Sequence, residues 1–156
     1  MYGNVESSCA IMQFMFKKIF QKKPKHFNPG KVIIPVGHPN PPAQHEIDVA
    51  TILALHYQTT VEFIMPIDDF KRKTPDIRML DVEWEIKSPI GTSKSTIYKQ
   101  FRRASKQAKH IVIDSRNTKL KYDRIEKEVR FEFSKRHSLK KVILIDKSKK
   151  IVEIQK

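Results

Sequence analysis

Glu85-Ile86-Lys87 is the part of the sequence best equipped for chemistry, because it sits in the alternating run Val82-Glu83-Trp84-Glu85-Ile86-Lys87-Ser88. A side-chain period of two makes this run a strand with Glu83, Glu85 and Lys87 on one face and Val82, Trp84 and Ile86 on the other. Upstream, Pro75-Asp76-Ile77-Arg78-Met79 reads as its hairpin partner across a turn at Leu80-Asp81. That turn places Arg78 opposite Glu83, as an ion pair, and Asp76 opposite Glu85. Two carboxylates facing each other on a ladder repel, and a divalent cation offsets the repulsion, since hard cations take oxygen ligands from one or two carboxylates plus water and phosphate. Lys87, on the same face, then orients an attacking water or stabilises negative charge developing on a phosphate. A bare Glu-x-Lys would read as a strand with its charged face in water. The Asp across the hairpin, the preceding Pro and the apolar opposite face favour the chemical reading.

The remaining pattern supplies elements to hold such a hairpin. Val32–Ile34 and Val61–Met65 read as strands, with a helix from Ala43 to Tyr57 between them; Asp76–Met79 and Val82–Ser88 form the hairpin. A helix from Ser95 to Lys109, capped by Ser95 or Thr96, precedes a buried strand at Ile111–Ile113. A charged amphipathic helix over Tyr122–His137 leads to a last strand pair, Val142–Ile145 and Ile151–Ile154, around Asp146-Lys147-Ser148-Lys149. Helices alternating with strands predict an α/β fold, a mixed central β-sheet flanked by helices.

In the first helix Glu46 is in line with Ala43, Ala50, Leu53 and Tyr57. An acid in that apolar row is either held at the first turn by the helix dipole or aimed into a site, and the site is preferred. Asp48 is the weaker competing acid, and His45 reads as a neighbour of the cap. Along the second helix Lys99, Arg103 and Gln107 follow at i, i+4 and i+8, beside the core stripe Ile97, Phe101, Ala104 and Ala108. Cys9, His26, His38 and His137 receive no catalytic role, and no phosphate-binding glycine loop, nucleophile elbow or zinc-finger spacing is present.

The chain has 156 residues, with 31 Lys plus Arg against 17 Asp plus Glu, a formal net charge of +14. The imbalance is uneven: residues 1–93 hold 11 basic and 10 acidic side chains, and residues 94–156 hold 20 and 7. Such a charge points to a polyanionic partner, nucleic acid or an anionic membrane surface. The single cysteine excludes disulfide-stapled scaffolds and cysteine-based zinc sites. No apolar run reaches the roughly 20 residues a spanning helix needs, so stable membrane insertion is not expected. Ile11, Phe14 and Ile19 follow helical spacing and precede Lys22, Lys23 and Lys25, the reverse order of a secretory signal. They read as a docking helix in preference to a membrane-surface one. Asn28-Pro29-Gly30 then breaks the chain, leaving an amphipathic segment and linker over 1–30 and an α/β domain over 31–156.

Pro75-Asp76 with Glu85-Ile86-Lys87 resembles the two halves of the PD-(D/E)XK nuclease motif. Within that superfamily, Glu85-Ile86-Lys87-Ser88-Pro89-Ile90-Gly91, Lys94-Ser95-Thr96-Ile97, Gln107 and Ile111-Val112-Ile113-Asp114 resemble the C-terminal nuclease domains of contact-dependent growth-inhibition toxins, a group that includes tRNA-cleaving members. The resemblance runs from about His45 to the C-terminus. It implies a restriction-endonuclease-like core and a divalent metal ion, Mg²⁺ with Mn²⁺ or Zn²⁺ as alternatives, held by Asp76, Glu85 and the Ile86 carbonyl. Glu46 would bind it through water or act as base, and Lys87 would position the nucleophile. Lys94, Lys99, Arg103 and Gln107 would grip substrate phosphates.

The expectation is therefore a metal-dependent toxin nuclease hydrolysing RNA, with tRNA favoured, acting in the cytoplasm of a cell into which it is delivered and countered by an immunity protein. The alternatives are a DNA-directed nuclease of restriction or repair type on the same core, a non-catalytic basic nucleic-acid-binding module, and a membrane-surface protein using Ile11–Phe20.

Overall fold

The computed structural model describes residues 30–67, 73–93 and 95–156. The expected helix over Ile11–Phe20 and the candidate Lys94 lie outside them.

Seven strands form one mixed sheet in sequence order: β1 (Lys31–Ile33), β2 (Thr60–Phe63), β3 (Ile77–Met79), β4 (Val82–Lys87), β5 (His110–Asp114), β6 (Lys141–Ile145) and β7 (Ile151–Gln155). The pairs β1–β2, β4–β5 and β5–β6 are parallel, and β2–β3, β3–β4 and β6–β7 are antiparallel. Three helices complete the described fold: α1 (Gln44–Tyr57), α2 (Thr96–Ala104) and α3 (Tyr122–Ser134). The expected mixed α/β architecture is present, with element ends moved by a few residues.

The sheet separates two cores. On one face α1 contributes Val49, Ala50, Leu53 and Ala54, which pack with Val61, Ile77, Trp84, Ile86, Val112 and Ile143. On the other, Ile97 and Phe101 of α2 and Ile125, Val129 and Phe133 of α3 pack with Ile111, Ile113, Val142 and Leu144. The alternation of β4 is thus realised, with Trp84 and Ile86 buried toward α1. Strand β5 reads as continuously apolar because helices cover both of its sides.

The β3–β4 hairpin turns at Leu80 and Asp81, whose φ angles are 53° and 58°. Two consecutive positive φ values make a type I′ turn, whose twist matches the flanking strands. This sets the expected register: Arg78 pairs with Glu83, Met79 with Val82 and Ile77 with Trp84.

Two local expectations are corrected. Ser95 occupies the N-cap of α2 without a capping side-chain bond; its hydroxyl lies 3.2 Å from that of Ser93. Helix α2 ends at Ala104 rather than Lys109. The N–H groups of both Gln107 and Ala108 donate to the Ala104 carbonyl, a turn that feeds the chain into β5.

Candidate active site

Where the β3–β4 ladder ends, two acids meet. The last pair is Ile77 with Trp84, and Asp76 lies one residue beyond it, so it is not the regular ladder partner of Glu85. Its backbone N–H donates to the Trp84 carbonyl at 3.1 Å, and its Oδ2 accepts the Ile86 N–H at 2.6 Å. The N–H and C=O of one strand residue point toward the same neighbouring strand, so the Ile86 carbonyl also faces the Asp76 side.

Glu85 is only 2% exposed, unlike a carboxylate on a solvated face. Its Oε1 accepts from the Lys87 ammonium and from the Gln107 side-chain amide at 2.5 Å. Its Oε2 is buried without a hydrogen-bond partner. Burial first, and then the negative charge of Asp76, push the Glu85 carboxyl up to about 7, while Lys87 works the other way. The Asp76 carboxyl is also raised, mainly by burial; the Ile86 N–H and Lys87 oppose the shift and Glu46 adds to it. Both acids therefore resist ionising although Lys87 favours the charged form of each and His45 favours that of Asp76.

Glu46 sits in the first turn of α1, and its Oε2 accepts the Ala43 N–H at 2.8 Å, closing the helix N-terminus. It lines a cleft of about 490 Å³ together with Asp76, Gln107, His38, Thr74 and Pro75. The structure thus gathers Glu46, Asp76, Glu85, Ile86, Lys87 and Gln107 at one seam of the sheet. Gln107 arrives from the turn after α2, not from the helical row assigned to it. Lys99 and Arg103 are exposed on α2 and take no part in the acid cluster.

The donor set is one of oxygens, the kind hard cations take. Among the described residues no three His, Cys, Asp or Glu side chains form a metal-binding group. Asp76 Oδ1 has no hydrogen bond among the described residues, and with the orphaned Glu85 Oε2 it suits an ion that takes two carboxylates and keeps most of its water. Lys87 and Gln107 preorganise Glu85 by holding its other oxygen.

A second buried acid had no role in the sequence reading. Asp114, fully buried at the end of β5, is forked by Arg116 with Nε to Oδ1 at 2.8 Å and Nη2 to Oδ2 at 3.0 Å. The Ser88 hydroxyl lies 3.4 Å from the same carboxylate. This group pins the chain leaving β4 directly after Lys87. An Asp closing the apolar run Ile111-Val112-Ile113 was the available signal.

Fold and site together define a basic α/β domain with a buried acid–lysine cleft at the seam of a mixed sheet. The chain belongs to the family described as contact-dependent growth inhibition CdiA C-terminal domain, which matches residues 73–151, just over half of its length. It is accordingly a growth-inhibition toxin domain. The matched stretch holds the hairpin and β3 to the start of β7. The fold is similar to that of a chain from a CdiA-CT/CdiI toxin and immunity complex from Burkholderia pseudomallei, with TM-score 0.51 and 16% identity over 81% of this chain and 100% of that one. No curated protein matches the sequence. No described helix is long and apolar enough to cross a membrane.

Proposed function

We propose that this toxin domain is a metal-dependent nuclease with a PD-(D/E)XK core that hydrolyses phosphodiesters in RNA, tRNA being the favoured substrate. The observation that carries the reading is Glu85: a carboxylate 2% exposed, one oxygen held by Lys87 and Gln107, the other unpartnered and beside Asp76. A non-catalytic nucleic-acid-binding module would gain nothing from this arrangement, because an unsatisfied buried charged group is destabilising.

Asp76 and Glu85, with the Ile86 carbonyl beside them, would hold the divalent ion, Mg²⁺ by preference. When bound, such an ion lowers the pKa of its water and offsets charge at phosphate. The chain's own residues do the rest. Gln107 and Lys87 fix the Glu85 carboxylate. The Lys87 ammonium, 18% exposed at its side chain, would hold the attacking water and meet negative charge as it develops. Glu46, which lines the cleft, would take a proton from that water. The basic residues of 94–156 draw in the polyanion.

RNA is preferred over DNA on the resemblance to tRNA-cleaving toxin domains. The likeness to a chain from a toxin and immunity complex supports a cognate immunity protein as partner, and family membership supports delivery into a target cell and action in its cytoplasm. The test is incubation of the protein with total tRNA, mRNA and duplex DNA, each with Mg²⁺, Mn²⁺, Zn²⁺ or chelator. Cleavage of tRNA that needs added metal is the expected result. Cleavage only of duplex DNA would move the protein to the restriction type, and no cleavage under any condition would end the nuclease reading.

A further inference from the structure

A groove of about 1050 Å³ lies beside the acid cleft, over a part of the sheet that no described helix covers. Its position follows from how the helices are distributed. On the α2–α3 side of the sheet, the buried core draws its strand residues from β5, β6 and β7 and none from β1 to β4. Among the described residues no helix covers that half-face; Ile33 lies at its β1 edge beside Glu62, and its centre is charged. The register aligns Glu62 of β2 with Arg78 of β3 and Glu83 of β4 in one lateral row, with steps of about 4.8 Å between strands. The Arg78 and Glu83 side chains are both 51% exposed, with Nη2 to Oε1 at 3.5 Å.

We propose that this face holds the unpaired nucleotides flanking the scissile phosphate, and that Glu62, Arg78 and Glu83 read their base edges. The proposal rests on the nuclease reading and supplies its substrate form: single-stranded nucleotides rather than a duplex. Three features of the groove match the three parts of a nucleotide. Lys73, Lys106 and Lys109 on its walls suit phosphates. Met65 and Ile67, 40% and 71% exposed, offer apolar surface of the kind on which bases lie in single-strand binding sites. The floor carboxylates accept from exocyclic amino groups, and a guanidinium donates to the O6 and N7 edge of guanine.

The floor also selects against other occupants. A duplex would present phosphates to two carboxylates, which repel them. An apolar helix seated here would bury three charged side chains, with a large desolvation penalty. The groove adjoins the acid cleft, since Thr74, Pro75 and Gln107 line both, and the Gln107 amide is bonded to Glu85. A strand lying along the face therefore ends next to the acids.

The test is fluorescence anisotropy of the full chain in chelator, where no cleavage occurs, with short labelled single strands of each base and a base-paired stem of equal length. Single strands are expected to bind at least about tenfold more tightly than the stem. Arg78→Ala, Glu62→Gln and Glu83→Gln are expected to change the ranking among bases by about fivefold or more, with little change in melting temperature. Equal binding of stem and single strand, or an unchanged ranking in all three variants, overturns the proposal. So does a shift in melting temperature or oligomeric state without any change in binding, because the face is then covered by protein. Cleavage activity separates the two ideas. Base-ranked binding without metal-dependent cleavage removes the nuclease reading and leaves the groove, whereas cleavage with an unchanged ranking does the reverse.

Discussion

Asp76 Oδ2 accepts the backbone N–H of Ile86 at 2.6 Å, so one side chain both ends the β3–β4 ladder and faces Glu85. The two roles separate by substitution. Asp76→Asn keeps an acceptor for Ile86 and removes a charge from the pair; it is expected to fold, to melt no lower than wild type in chelator, and to lose metal-dependent cleavage. Asp76→Ala leaves the Ile86 N–H without its partner, a loss of about 1–3 kcal/mol. Thermal melts in chelator beside cleavage assays check this, and wild-type turnover by Asp76→Asn would contradict the two-carboxylate site.

Glu85→Gln removes the buried charge while retaining an oxygen for Lys87 and Gln107. Since burial and the Asp76 charge push this carboxyl up to about 7, the ionised form strains the metal-free fold. The Gln variant is expected to be more stable than wild type at pH 8 in chelator and to gain nothing from added Mg²⁺. Stabilisation of both proteins by Mg²⁺ to the same degree would place the ion elsewhere.

The hairpin was legible in the sequence because two short-range rules determine it. Strand alternation put Trp84 and Glu85 on opposite faces, and the turn at Leu80-Asp81 aligned Arg78 with Glu83. What stayed hidden depended on packing between distant segments. Glu85 is buried because the turn after α2 brings Gln107 over it, and α2 stops five residues short of the end that its charge pattern suggested. The Asp114–Arg116 fork and the half of the sheet that no described helix covers likewise follow from where helices settle, which periodicity within one strand does not encode.

Substrate capture is expected to be steeply salt-sensitive. Twenty of the 31 basic residues fall in 94–156, and each phosphate contact on a single strand lowers the slope of log K against log salt by about 0.7. Grouped neutralisation of these residues should flatten that slope in steps. A flat dependence in the wild type would remove the basic half from substrate binding.

One acid effect is structural and lies away from the site. The Lys141 ammonium, 2.6 Å from Glu153 Oε2, and the Tyr57 hydroxyl on the other oxygen hold the Glu153 carboxyl below the usual range. A carboxyl lowered by folding stabilises the fold above its unfolded pKa and loses that contribution as pH falls through the folded one. Glu153→Gln is expected to melt below wild type at neutral pH, by no more than about 1 kcal/mol for a pair this exposed. The gap should begin to narrow below about pH 4.3 and close only below the lowered pKa of the folded state. A gap independent of pH would assign the effect to shape rather than charge.

The central claim is that the acid–lysine cleft performs hydrolysis, and Lys87 tests it most directly because it separates catalysis from attraction. Lys87 is one of 31 basic residues, so its share of nonspecific binding is small, yet its ammonium is paired with Glu85 at the cleft. The decisive measurement is single-turnover cleavage and equilibrium binding on the same Lys87→Ala protein. The account predicts a rate lower by about 10²–10³, affinity for substrate nearly unchanged, and poor rescue by Lys87→Arg, whose planar fork places charge differently. Affinity falling tenfold while the cleavage rate stays at the wild-type value would contradict it.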